Sequence, residues 1–166
     1  MADMLVRLYS LPPLQPAIDA LRSHDIQIRP ARVGEELSIR PWILQHFSSE
    51  WVQGIDYAIF RSPCSVFIAT ETQLADPQRP NLYVQPDEVL VGFACYDTGI
   101  RGMFGPIGVQ RSHRRRGVGK ALLLTALHAM WTDNYAYAVI GWAGPVDWYA
   151  RTVGAEVIPN SEPGVF

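Results

Sequence analysis

Charge is scarce in this sequence: 18% of its 166 residues are Asp, Glu, Lys or Arg, against 48% apolar. That balance excludes a disordered chain and a coiled coil, both of which carry far more charge. Cysteine is nearly absent too. Cys64 and Cys95 each sit in an apolar, strand-like stretch, with no CxxC and no Cys/His ligand spacing nearby. They read as buried thiols rather than a bridge or a metal site. His24, His46, His113 and His128 are likewise scattered without ligand spacing, so no metal is expected. No apolar run is long enough to cross a bilayer. The opening MADMLVRLYSLPPLQP lacks both the apolar h-region of a signal peptide and the Arg/Ser-rich pattern of a transit peptide. A cytoplasmic protein without membrane contact is therefore expected.

At this length the chain fits one domain that buries roughly 70% of the unfolded surface, without disulfides or a structural metal. The net charge of −2 argues against a general nucleic-acid binder. The charge is nevertheless segregated. Arg111, Arg114, Arg115, Arg116 and Lys120 fall within ten residues that contain no acid, which leaves the other 156 residues with a net charge of −7. Lys120 is the one lysine of the chain. An acidic protein with a single basic island is suited to meet an anion at one place.

Hydrophobic periodicity predicts strands over 5–9, 26–31, 64–71, 89–97, 103–110, 135–143 and 155–159. Helices are predicted over 17–24, 120–131 and 146–153, with two more between 34 and 60 that break near Ser48-Ser49. Residues 75–88 hold three prolines and read as a loop. This α/β pattern implies a mixed central sheet with helices on both faces.

The strand over 103–110 runs through Arg114-Arg115-Arg116-Gly117-Val118-Gly119 straight into the helix over 120–131. The first turn of a helix offers unpaired N–H groups and the positive end of its dipole. Gly117 and Gly119 remove side chains that would hold a phosphate away from those amides. Two known phosphate loops do not fit. A Walker loop would need Gly at Arg114 and Ser or Thr at Ala121, and a dinucleotide fingerprint would need Gly at Leu122.

Arg114, Gly117 and Gly119 instead match the R/Q-x-x-G-x-G/A signature, and over roughly residues 26–160 the chain resembles the GNAT superfamily of N-acyltransferases. The preceding Gly-Pro-Ile-Gly-Val (105–109) and the later Trp148-Tyr149 segment support the match. The resemblance divides the chain into residues 1–25, an N-terminal extension packed on the same domain, and a GNAT domain over 26–166. It implies a GNAT fold whose splayed strands form a coenzyme A cleft. Acetyl-CoA is the implied cofactor, with Ile107, Gly108 and Val109 pairing with the pantetheine arm. Arg114, Arg115, Arg116, Gly117, Val118, Gly119 and Lys120 would hold the pyrophosphate.

The resemblance also places Tyr149 as the group that protonates the departing thiolate. A phenol of pKa ~10 and a thiol of pKa ~8.5 make that transfer uphill by about 2 kcal/mol. Tyr149 therefore needs a lowered pKa or acts as a hydrogen-bond donor to sulfur. Two positions depart from the family pattern: Trp142 stands where an Asn is common, and residues 101–110 carry no carboxylate to serve as general base. Asp97, Glu71, Glu50 and Asp56 are the alternatives for that base. The acceptor side is assigned to Glu50, Trp51, Tyr96 and Asp97, with the loop over 72–88. The expected activity is N-acetyltransfer to a small-molecule amine by direct attack in a ternary complex, no Cys or Ser nucleophile with a His partner being visible. A homodimer is compatible with this reading. The alternative is a GNAT-fold sensor that binds coenzyme A without turnover.

Overall fold

The computed structural model describes residues 1–73 and 83–164. The β-branched and alternating segments form one mixed sheet. Its strands are β1 (Met4–Arg7), β2 (Ile26–Pro30), β3 (Val66–Thr72), β4 (Tyr83–Gln85), β5 (Glu88–Tyr96), β6 (Met103–Val109), β7 (Tyr137–Ile140) and β8 (Glu156–Val157). The strand order is β2-β3-β5-β6-β7-β1-β8, with β4 paired to β5 off this path. Every pairing is antiparallel except that of β6 with β7. Of the predicted loop over 75–88, residues 83–85 are β4, and 75–82 lie outside the described residues.

The helices α1 (Gln15–Arg22), α4 (Val118–Thr132) and α5 (Val146–Val153) contribute to one core, and α2 (Glu36–His46) and α3 (Glu50–Ile59) to a second. The two cores use alternate residues of the same strands, as the period of two requires. In β5, Val89, Val91, Ala94 and Tyr96 belong to the first, and Leu90, Phe93 and Cys95 to the second. The phase slips by one residue at Val91-Gly92, opposite the irregularity between Ala69 and Thr70. A bulge turns two successive residues to the same face. Glycine suits the second of them, because a Cβ at position 92 would lie a tight 3.0 Å from the Leu122 side chain and 3.1 Å from the Gly108 carbonyl. The start of α4 thereby lies directly on the sheet.

Helix α4 shows more burial than the single stripe of Leu123, Leu127 and Met130 suggests. Val118, Ala121, Leu122, Leu124 and Ala126 are buried as well, as befits a helix that is apolar almost all round. Its length and hydropathy still fall short of a membrane span, and among the described residues no helix is long and apolar enough for one.

Residues 4–7, assigned from sequence to an extension packed on the domain, form a strand inside the sheet. β1 pairs with β7 from Met4↔Ile140 to Arg7↔Tyr137 and with β8 through Met4↔Val157 and Leu5↔Glu156. Met4, Val6 and Leu8 are buried in the first core. Met4→Ala should cost about 2–5 kcal/mol. Urea denaturation measures this, and a loss under 1 kcal/mol would mean that β1 is dispensable to the sheet.

Candidate active site

β6 and β7 pair at Met103↔Val139 and Phe104↔Ile140 and then part. Beyond that point β6 stays attached to β5, through Ala94↔Ile107, Phe93↔Gly108 and Gly92↔Val109. The other edge of Ile107, Gly108 and Val109 faces an opening, and backbone polar groups along such an edge require partners. A cavity of about 1230 Å³ follows this parting and takes in all three residues. Gly108 is required by contact: a Cβ there would sit 2.7 Å from the Phe47 ring and 2.9 Å from Phe93. Phe47 in turn stacks on Trp51 at 5.0 Å, so the junction of α2 and α3 forms the wall against β6.

The basic turn closes one end of the cavity. Gly117 is the N-cap of α4 at φ +84, a left-handed conformation in which glycine carries no penalty. No side chain caps this helix and its first turn holds no acid. The first amide to bond back is that of Ala121, to the Gly117 carbonyl at 3.0 Å, so the amides before it are free of intrahelical partners. Arg114, Arg115, Gly117, Gly119 and Lys120 line the cavity. Arg114 also donates from Nε to the Val109 carbonyl at 3.2 Å, which folds the turn back on β6.

The structure divides the predicted pyrophosphate set. Arg116 turns away from the cavity to Glu71, 3.6 Å distant, beside His113, whose Nε2 lies 3.3 Å from the same carboxylate. The Val118 side chain is buried in the first core, leaving only its backbone for a ligand. Glu71 thus neutralises part of the basic island, and the charge that faces the cavity is that of Arg114, Arg115 and Lys120.

Tyr149, in the first turns of α5, lines the cavity but is only 5% exposed. Burial disfavours the phenolate and pushes its pKa up to about 12. The requirement for a lowered pKa is therefore not met in this structure.

On the acceptor side, Glu50 and Trp51 line the cavity, whereas Tyr96 and Asp97 do not. Tyr96 is buried in the first core, donating its hydroxyl to Asp133 at 2.7 Å, and burial raises its pKa. Asp97 is 2% exposed and accepts from the Gly102 amide and the Tyr135 hydroxyl, with Arg61 at 3.1 Å. Asp97 holds the β5–β6 turn and Tyr96 ties β5 to the end of α4, which takes both out of the acceptor wall. Asp56 is bound to Arg40 at 2.5 Å. Of the four base candidates, only Glu50 lines the cavity.

Met1, Phe47, Gln53, Thr98 and Trp142 also line the cavity and were not assigned to the site from sequence. Phe47 reads there as an ordinary apolar helix position. Thr98 reaches the site because α3 packs on it: a Cβ at Gly54 would lie 2.8 Å from its side chain. Met1 carries no sequence signal, since only the insertion of β1 next to β7 brings it here.

Comparison with known proteins places this geometry in a family context. The model of the acetyltransferase (GNAT) family matches residues 38–148. Among solved structures, the GCN5-related glucosamine N-acetyltransferase region of a fungal multi-domain β-N-acetylglucosaminidase is similar at a TM-score of 0.72 and 11% identity, over 95% of this chain and 19% of that one. A GCN5-related N-acetyltransferase from Sphaerobacter thermophilus is similar at 0.63 and 18% identity, covering 95% and 48% of the respective chains. Another from Kribbella flavida gives 0.55 and 16%, covering 94% and 53%. The chain thus spans about half or less of these proteins, and the likeness is one of fold. No curated protein matches the sequence significantly.

Gly117→Ala has room for its Cβ, which would lie 3.8 Å from the Leu21 side chain, so its cost is conformational. It should destabilise the protein by about 1–2 kcal/mol and weaken binding of a pyrophosphate-bearing ligand. Chemical denaturation and calorimetry check the two effects; unchanged stability would remove the left-handed cap from the account.

Proposed function

The chain belongs to the GNAT acetyltransferase family, and from that premise we propose that it transfers the acetyl group of acetyl-CoA to the amine of a small molecule, by direct attack in a ternary complex. The observation that carries the reading is the continuity of one cavity from the uncapped N-terminus of α4, along the open edge of β6, to Tyr149. The residues suit the cofactor. Free amides and Arg114, Arg115 and Lys120 would hold the pyrophosphate, and the free edge of Ile107, Gly108 and Val109 would pair with the amide-bearing pantetheine arm. The thioester supplies an activated acyl carbon, and the chain's own groups orient it, counter charge and handle protons.

Tyr149 acts on the leaving sulfur as a hydrogen-bond donor. With the phenol at about 12, full proton transfer to a thiolate whose acid has pKa ~8.5 would be uphill by about 5 kcal/mol. A hydrogen bond to a charged group contributes ~1.5–3 kcal/mol without that transfer. Glu50 offers a carboxylate to the incoming amine, as counter-charge to its ammonium form and as acceptor of its proton. The need is real: at pH 7 an amine of pKa ~10.4 is unprotonated to about 1 part in 2,500. Ternary-complex geometry supplies much of the remaining rate through proximity. A GNAT-fold sensor would bind acetyl-CoA but release no thiol with any amine.

Calorimetry should detect acetyl-CoA binding; none at millimolar concentration would sink the reading. Tyr149→Phe should lower kcat roughly ten- to hundredfold and leave acetyl-CoA affinity nearly unchanged. The phenol's raised pKa keeps it protonated through pH 10, so the kcat profile should show a rising limb from the amine and no falling limb from Tyr149 below that pH. A falling limb with a midpoint under pH 10 that disappears in Tyr149→Phe would contradict the assigned role.

A further inference from the structure

Trp142 is held in an unusual way. It follows β7 at φ +50, a left-handed conformation rare for a bulky residue and maintained only when the surroundings impose it. Its amide donates to Oδ1 of Asp3 at 3.0 Å, and its indole Nε1–H donates to the Pro163 carbonyl at 2.5 Å. Asp3 is itself buried at 3% exposure, its amide donating to Ser161 Oγ at 2.9 Å. The next amide, of Ala143, donates to the Ala2 carbonyl at 3.0 Å. Segments before β1 and after β8 therefore fix one indole from both ends. The residue is 44% exposed and lines the cavity.

The register says where along the cavity it stands. β6 and β7 run parallel and part after Phe104↔Ile140, so Trp142, two residues on, is level with Pro106. The phosphate turn begins five residues beyond Val109, at the opposite end. The charges divide in the same way. Arg114, Arg115 and Lys120 are at the phosphate end, and Glu50 is the one acidic residue among the described lining residues. A single ammonium in the cavity would find a counter-charge in Glu50. Among the described lining residues a second cation would find none, and away from the phosphate turn a carboxylate on the acceptor would find no base. The flat apolar faces lining the cavity away from the phosphate turn are Trp51, stacked on Phe47, and Trp142, after β7 on the other flank, and Gln53 and Thr98 are the polar side chains that line it with them.

We propose that the acceptor is a monoamine with an uncharged aromatic body, of the 2-arylethylamine type, and that Trp142, positioned by Asp3, is the residue that selects it. The indole face attracts both a flat ring and a nearby ammonium, while Glu50 takes the charge. This inference rests on the acetyltransferase reading. Calorimetry with acetyl-CoA alone tests that reading first, without any amine, and loss of binding there overturns both.

Given binding, thiol release is measured with phenethylamine, butylamine, spermidine, glucosamine and phenylalanine. Phenethylamine should give a kcat/KM at least tenfold above spermidine, glucosamine and phenylalanine, the last sharing its ring but adding a carboxylate. Trp142→Ala should raise KM for phenethylamine at least tenfold and that for butylamine less than twofold. Asp3→Ala should reproduce that selective KM change with kcat for butylamine retained. Asp3→Asn, which keeps an oxygen for the Trp142 amide, should restore it. A preference for spermidine, glucosamine or phenylalanine overturns the inference, as does a Trp142→Ala effect equal on both monoamines. Should Asp3→Ala fail to fold, the amine panel and Trp142→Ala still decide the acceptor class.

Discussion

β6 and β7 share two paired positions and then separate, and this parting governs everything built around it. A strand that leaves its neighbour in the middle of a sheet exposes backbone donors and acceptors that a buried sheet would pair. Here the exposed stretch is held on its other side by β5 over Ile107 to Val109, after a register shift that follows Phe104, and is backed by Phe47 against Gly108. The opening is a built feature, walled by aromatic side chains on one flank and by the turn into α5 on the other.

The electrostatics follow from where α4 begins. The bulge at Val91-Gly92 lets Leu122 and Val118 approach the sheet, so that a Cβ at Gly92 would press on Leu122 at 3.0 Å. That contact brings the uncapped end of α4 to the end of β6, where free amides and three cations face the cavity. Glu71 takes the outer part of the basic island, through His113 and Arg116, so the ten-residue charge cluster has two faces with different work. The raised pKa of Tyr149 has the same origin as the cavity's apolar character. A site walled by Phe47, Trp51, Ile107 and Trp148 favours the neutral phenol and strengthens a hydrogen bond it donates.

The two ends of the described chain meet at the flank opposite α2 and α3. β1 separates β7 from β8, and the segments beyond β1 and β8 hold Trp142 through Asp3 and Pro163. The cavity is therefore sensitive to residues that lie far outside the 38–148 stretch that carries the family match. Asp3 is 139 positions from Trp142 in sequence and bonded to its amide.

The local chemistry was legible in the residues. Glycines at 117 and 119 among arginines, after a strand and before an apolar helix, specify an uncapped, basic helix start, because free amides and φ > 0 are properties of a few adjacent residues. The helix over 146–153 and the strands predicted over 64–71 and 89–97, found as Val66–Thr72 and Glu88–Tyr96, were legible for the same reason, since periodicity is local. Tertiary structure decided which charges face the cavity, removing Arg116, Tyr96 and Asp97 from it and leaving Glu50. A carboxylate in a sequence does not disclose its counter-ion when that partner is Arg61, 36 residues away. The place of β1 between β7 and β8 was also decided there, because strand order depends on which edges pair across the whole chain. Sequence by itself determined a basic, glycine-bearing start to α4, because that is a property of adjacent residues; the fold determined which side chains line the cavity beyond it, because that depends on which segments pack together.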